Sequence, residues 1–306
     1  AADVTYADGA DIITASAGTS NFRAGVNAGN SIVSGGNYNT VVGDEAGTAI
    51  TTGDDNTFVG YASGDANTTG SYNTSLGVQA LSTNTTADSN TAVGRLALYL
   101  NTTGANNVAV GANSLDANTT GAGNVAVGYA ALDANTTASD NTSVGADSLT
   151  ANTTGASNVA VGKNAMYANT TGASNVAIGY TALDANTTAS NNTAVGYASL
   201  GANTTGYSNV AVGMNALDAN TTANHNIAIG VSSLGTNTTG ATNVAVGDSA
   251  LFANTTASNN TAVGHSALNA NTTGTGNTAV GASAGVAITT GDNNTIVGKL
   301  AGDAIT

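Results

Sequence analysis

The stretch Asn-Val-Ala-Ile-Gly at residues 175–179, followed by Tyr-Thr-Ala-Leu-Asp-Ala-Asn-Thr-Thr at 180–188, is one copy of a unit that fills most of this chain. An Asn recurs every 17 residues from Asn39 to Asn294, sixteen times in all, and a Gly follows four residues after each. We number every repeat from this Asn as position 1. A period that short and strict is typical of a solenoid, so the function belongs to an extended object rather than to a pocket.

The composition agrees with a repeat protein. The 306 residues include 40 Gly and only 3 Phe, with no Pro, Cys or Trp, which leaves too few aromatic side chains for an ordinary globular core. Hydrophobic residues make up 41% and follow the period, which favours regular burial over disorder. We predict an all-β parallel β-solenoid of about eighteen coils. Residues 39–306 form it, and residues 1–38 are degenerate coils and a junction segment.

The charge pattern excludes some partners. The net charge of −14 comes from 18 acids against four bases, and such a surface repels nucleic acid and anionic membranes. No run of 18 apolar residues is present, so we expect no membrane insertion. We expect an extracellular or cell-surface location, and this expectation depends on the architecture, because a chain without Cys gives no redox evidence.

Alternation along a strand predicts which positions form the core. Position 4 is Val in 13 of 16 repeats, and position 3 is mostly Ala. Side chains of a strand alternate between its faces, so we expect the position 4 side chains to point inward and the position 3 Ala to point outward. Position 9 is Leu or Met from Leu81 to Leu268, which predicts a second short strand and a second core side chain. The Gly at position 5 turns the chain between the two strands.

Positions 12 to 14 read Asn-Thr-Thr in thirteen consecutive repeats and predict ladders in which each side chain bonds to its copy in the next coil. If the Asn ladder is exposed, Val161→Ala costs more stability than Asn118→Ala. Every Asn-Thr-Thr is also a glycosylation acceptor, provided that its Asn faces solvent. The acceptors preceded by Asp-Ala include Asn118, Asn135, Asn186 and Asn220.

No catalytic constellation is visible, so we expect no enzyme activity, no cofactor and no metal. His225 and His265 stand alone at variable positions and are expected at the surface. Acidic residues could hold a hard cation through stacked carboxylates, although no recognised calcium-binding spacing is present. These acids are Asp54, Asp55, Asp116, Asp133, Asp184, Asp218 and Asp292.

Repeats near both ends differ from the middle in one shared way. Gly replaces the position 9 Leu at Gly47, Gly285 and Gly302. Ile replaces the position 12 Asn at residues 50, 288 and 305. We expect that core volume has moved from one strand to the other.

The signature Asn-x-Ala-Val-Gly-x-x-Ala-Leu resembles the head repeats of trimeric autotransporter adhesins. It is also similar to the Asn-Thr-Ala-Val-Gly repeats of bacteriophage tail-fibre and bacterial surface-fibre proteins, and the likeness covers residues 39–306. The resemblance implies a left-handed roll, association of three chains and attachment to host surfaces. This repeat is longer than the usual adhesin head unit, and the chain contains no heptad stalk, neck or anchoring barrel.

Three functions remain open. We expect the structural subunit of an extracellular fibre or filament, whose partner is the protein itself as a homopolymer. The alternative is the adhesive shaft or head of a homotrimeric adhesin or tail fibre, which binds cell-surface glycans or proteins. The trimer needs a longitudinal seam, for which the outward Ala at position 3 would serve. Ice binding by Thr ladders is disfavoured, because adjacent Thr residues point to opposite sides of a strand.

The filament hypothesis predicts head-to-tail assembly. A solenoid end leaves backbone groups unpaired, and the sequence offers no capping helix, run of charges or Pro at either end. The expected junction joins the carboxy-terminal edge of one subunit to the amino-terminal segment of the next. Its residues are Val4, Ile12, Ile13, Ala304, Ile305 and Thr306.

Overall fold

The computed structural model describes residues 12–13 and 17–303, and all regular structure in that part of the chain is β-strand. The predicted all-β parallel solenoid is confirmed. Almost every strand is three residues long and covers positions 2 to 4 of a repeat. The chain divides into two compact units, one ending at Asp147 and the other beginning at Ser148.

The first unit contains nine strands. They are β1 (Ile12–Ile13), β2 (Phe22–Ala24), β3 (Thr40–Val42), β4 (Thr57–Val59), β5 (Thr74–Leu76), β6 (Thr91–Val93), β7 (Val108–Val110), β8 (Val125–Val127) and β9 (Thr142–Val144). Within this unit, consecutive strands from β2 to β9 pair in parallel, whereas β1 pairs antiparallel with β2.

The second unit also contains nine strands, each paired in parallel with the next. They are β10 (Val159–Val161), β11 (Val176–Ile178), β12 (Thr193–Val195), β13 (Val210–Val212), β14 (Ile227–Ile229), β15 (Val244–Val246), β16 (Thr261–Val263), β17 (Thr278–Val280) and β18 (Thr295–Val297).

The register places like residue over like residue. Ala109 of β7 pairs with Ala126 of β8, one repeat later. The first coil is one residue longer, because Phe22 pairs with Thr40. The degenerate coil expected before residue 39 is therefore part of the same sheet.

The expected orientation of the strands is wrong. The position 3 side chain points inward and is fully buried, as at Ala109, while the flanking Val108 and Val110 are half-buried or exposed. Val161 likewise lies on the outer face. The coil interior also holds a Leu and two Asn side chains, so a small Ala fits at position 3 where a Val would crowd its neighbours.

Position 9 belongs to the core, but the predicted second strand is absent from the described residues. Leu115 is fully buried and adopts a left-handed backbone conformation, with φ of 53°. Every position 9 residue from Leu81 to Leu268 has a φ near this value. Such a conformation costs a non-Gly residue about 1 to 2 kcal/mol, and burial of a Leu offsets this by about 1.5 to 3 kcal/mol.

The Gly at position 5 turns the chain as predicted, and its φ lies between 124° and 144° in these repeats. A Cβ on Gly111 would lie 2.3 Å from the carbonyl oxygen of Gly128, the Gly at the same position of the next coil. Because this corner brings backbone directly over backbone, a side chain there would separate the coils.

Candidate interaction surface

The interior of the coil is held by two ladders of buried Asn side chains, at positions 1 and 12. In one repeat, Nδ2 of Asn107 and Nδ2 of Asn118 both donate to the carbonyl oxygen of Gly121, each at 2.9 Å. Nδ2 of Asn118 also donates to Oδ1 of Asn101 at 2.8 Å, one coil earlier. Both Asn residues are fully buried, so these bonds are made away from solvent.

The two Thr residues at positions 13 and 14 have different environments. Oγ1 of Thr119 donates to the carbonyl oxygen of Thr136 at 3.0 Å, rather than to the hydroxyl of its copy. Thr119 is half-buried, while Thr120 is exposed. The two Thr positions therefore differ in exposure, and they lie in a bend rather than in the strand that was expected.

The outer face of the sheet carries two columns of side chains, from positions 2 and 4. We call this surface the sheet face. In the first unit it contains the exposed Leu76 and Val110, and in the second unit the exposed Ile178 and Ile229. No residue at positions 2 and 4 of β2 to β18 is charged; all are Val, Ile, Leu, Thr, Phe or Ala. The outward positions are therefore 2 and 4, and the position 3 Ala, which was expected to supply a trimer seam, faces inward.

The sheet face is a large uncharged surface built from apolar side chains and Thr. Strands of three residues are about 10 Å wide and neighbours lie about 4.8 Å apart, so eight or nine strands present about 400 Å² in each unit. Contiguous apolar patches of more than a few hundred Å² mark interaction sites on soluble proteins. Because the chain carries a net charge of −14, the uncharged sheet face differs sharply from the rest of the surface.

The four Asn residues considered for glycosylation are fully buried in the position 12 ladder: Asn118, Asn135, Asn186 and Asn220. Nδ2 of Asn186 donates to Oδ1 of Asn169 at 2.8 Å and to the carbonyl oxygen of Ala189 at 3.0 Å. A glycan would be attached to this same nitrogen. The solvent exposure that the modification requires is therefore missing in the folded coil.

Some acidic residues serve as acceptors between coils. Oδ1 of Asp54 accepts from the backbone N of Asn37 at 2.7 Å. Oδ1 of Asp292 accepts from the backbone N of Thr275 at 2.6 Å and from its hydroxyl at 3.0 Å, and these bonds lower the pKa of Asp292. The described residues include no group of three or more potential metal-ligating side chains.

The position 10 aspartates differ from these acceptors. Burial raises the pKa values of Asp116 and Asp133, and for Asp116 the neighbouring Asp133 raises it further, while Arg95 lowers it. Burial raises the pKa values of Asp184 and Asp218 as well. Oδ1 of Asp116 and of Asp184 is buried without a hydrogen-bond partner among the described residues. Keeping these carboxylates charged therefore costs some stability.

Two pairs of aromatic rings contact each other across consecutive coils. Tyr180 and Tyr197, at position 6 of consecutive coils, stack with ring centroids 5.6 Å apart. The ring of His225 meets Tyr207 edge to face at 5.2 Å. His265 is exposed, as expected.

The predicted head-to-tail junction is described only in part. Val4, Ala304, Ile305 and Thr306 lie outside the described residues. Residues 12 and 13 form β1, which pairs with β2 of the same chain.

A scan against protein-family models finds no match to this chain, and a search of curated proteins finds none either. Within the described residues, no helix has the length and apolar character needed to cross a bilayer.

Sequence reasoning missed both the burial of the Asn ladders and the sheet face. One signal was present. Ile50 and Ile288 replace Asn at position 12, and an apolar substitute at a polar position indicates a buried site.

Proposed function

We propose that this protein is a structural subunit of an extracellular fibre, in which copies associate side by side along the sheet face. The single observation that supports this proposal is the uncharged double column of Val, Ile, Leu and Thr on the outer side of the coils from β3 to β18. A surface of this kind is stable in water when another surface covers it.

The sheet face suits a partner with the same repeat. The face of one unit presents about 400 Å², which is about half of the 800 Å² that a stable interface buries on each partner. A second copy has the same coil spacing, and its own sheet face is equally uncharged. Identical spacing allows side chains of facing sheets to interdigitate coil by coil.

Charge placed on the sheet face tests the proposal. In the variant Leu76→Lys/Val110→Lys, two ammonium groups would have to be buried in the interface, which costs several kcal/mol per ion when they are unpaired. We expect light scattering coupled to size-exclusion chromatography to show an oligomer for the wild type and a single chain for the variant.

The matched control places the same two charges on the same two coils, at exposed Thr residues on another side: Thr86→Lys/Thr120→Lys. It should keep the wild-type mass. A wild-type protein that is already a single chain at micromolar concentration, or a control that dissociates equally, would overturn the proposal.

End-to-end assembly through the junction residues remains a second route to a fibre. The described geometry favours the side-by-side route, because residues 12 and 13 already pair within their own chain.

An adhesive shaft or head is the other candidate, and the exposed stack of Tyr180 and Tyr197 favours it. Tyr combines an apolar ring with a polar hydroxyl and is common at binding surfaces. Binding of the wild-type protein to an array of cell-surface glycans would support adhesion. Assembly into fibres without binding to any of them would favour a purely structural role.

A further inference from the structure

At the amino-terminal edge of the first unit, β1 covers β2 and runs antiparallel to it. From β2 to β9 every pairing is parallel. At the outer edge of β2, Ile12 pairs antiparallel with Ala24, and Ile13 with Arg23. β1 therefore occupies backbone groups of β2 that another parallel coil would need. An exposed edge is a template for pairing with another chain, and a covered edge is not.

The first coil also carries a charged residue in its core column. Arg23 of β2 is in register with Val41 of β3, which is fully buried at the inward position 3. Later coils place Ala, Ser, Val, Phe or Ile at this position. Arg23 is thus the single charged residue in the inward column of the described strands β2 to β18.

The Arg23 side chain stays within its own coil. Its Nε donates to the carbonyl oxygen of Ala28 at 2.8 Å. Its Cδ lies 3.4 Å from the place that a Cβ on Gly29 would occupy, so the stem covers the end of the core. Another coil stacked over this one would take the guanidinium fully out of water, and burying a charge without a counter-ion costs several kcal/mol.

We propose that β1 and Arg23 together form an end cap that prevents another copy of this chain from adding at the outer edge of β2. The backbone of β1 closes the hydrogen-bonding edge, and Arg23 makes the core column unsuitable for continuation. Sequence reasoning expected an open edge here, because neither a two-residue antiparallel strand nor a lone Arg stands out as a cap in the sequence. The cap gives a reason why assembly would use the sheet face, and in that respect the inference rests on the proposed function.

The cap is tested in full-length protein whose sheet face is already blocked by Leu76→Lys/Val110→Lys. Into this background go Ile12→Pro and Ile13→Pro, which remove two backbone donors from β1, and Arg23→Ala, which restores the common core residue. We expect the parent to be a single chain, and the cap variant to form particles of at least twice that mass. Negative-stain microscopy should show them joined at their ends.

The matched control carries Ile12→Val, Ile13→Val and Arg23→Lys, which keep the strand and the charge, and it should remain a single chain. Circular dichroism of both variants reports whether the solenoid still folds.

If the cap variant folds and stays a single chain, the end cap is refuted, whatever the sheet-face experiment gives. If the parent is no smaller than wild type, side-by-side association fails, and the cap is then judged by the increase over the parent alone. If the cap variant unfolds, Arg23→Ala alone decides: unchanged mass counts against the cap, and concentration-dependent growth supports it.

Discussion

Coils near the amino-terminal end and coils in the middle of the first unit fill the same interior in two different ways. In the repeat that begins at Asn107, a small Ala109 faces a large Leu115. In the repeat that begins at Asn56, a large Phe58 faces Gly64. The side chain has moved across the coil, and both arrangements bury their large residue completely. The interior is therefore specified by its volume rather than by the residue at any one position.

In these repeats the large side chain occupies the space that a side chain on the position 9 Gly would need. A Cβ on Gly64 would lie 2.7 Å from the ring of Phe58. In the preceding repeat, a Cβ on Gly47 would lie 2.6 Å from Ile50 and 2.7 Å from Val41. Core volume does shift in these repeats, but not from one strand to another as expected, because position 9 lies outside the strands and position 3 takes part as well as position 12. Gly also adopts the left-handed conformation of position 9 without the strain that Leu115 bears.

Truncation of Phe58 should cause the largest loss of stability. Because Gly64 leaves no other large side chain in its coil, Phe58→Ala should cost about 3 to 5 kcal/mol of unfolding free energy. Gly64→Leu alone should also destabilise, by overpacking against the ring. The double variant Phe58→Ala/Gly64→Leu copies the middle coil and should recover much of the loss. Urea melts of the four proteins give the coupling, and purely additive losses would show that the two positions do not share one volume.

The second prediction concerns which of two substitutions costs more stability, and it reverses the order expected from the sequence. Asn118→Ala would leave Oδ1 of Asn101 and Nδ2 of Asn135 without their ladder partner and should cost about 3 kcal/mol. Val161→Ala, on the outer face, should cost less than about 1 kcal/mol in a single chain. Denaturant melts of both variants decide between the two orders. A Val161→Ala loss above that of Asn118→Ala would mean that the ladders contribute less than the structure indicates.

The smallest effect is expected at the position 10 aspartates, which middle coils have and the repeat at Asn39 lacks. The pKa of Asp116 is raised above its usual 3.8, so the folded state binds protons more tightly than the unfolded state. Stability from this group is fully present below about pH 3.8 and is lost as the pH rises through the folded pKa. Asp116→Asn/Asp133→Asn should therefore raise the melting temperature slightly at pH 7 and flatten its increase on acidification.

Asp292 provides a control of opposite sign for the aspartate experiment. Its pKa is lowered by the Thr275 hydrogen bonds, so its contribution is present above the unfolded pKa and is lost as the pH falls through the folded one. Asp292→Asn should therefore not raise the melting temperature at pH 7. Thermal melts at several pH values measure both variants. An equal response of the two would show that partial burial at position 10 is not the cause.

The period, the solenoid, the turn at the position 5 Gly and the burial of the position 9 Leu could all be predicted from the sequence. These follow from spacing alone, because a coil of fixed length must repeat its turns and its largest core residue at fixed intervals. Alternation could not decide whether Val or Ala points inward, since both choices satisfy a period of two. The packing of the folded coil settles the direction, because two Asn ladders and a Leu fill a narrow interior and leave room for Ala at position 3. The direction of β1 was also decided there, because strand pairing depends on which edge is free rather than on local sequence.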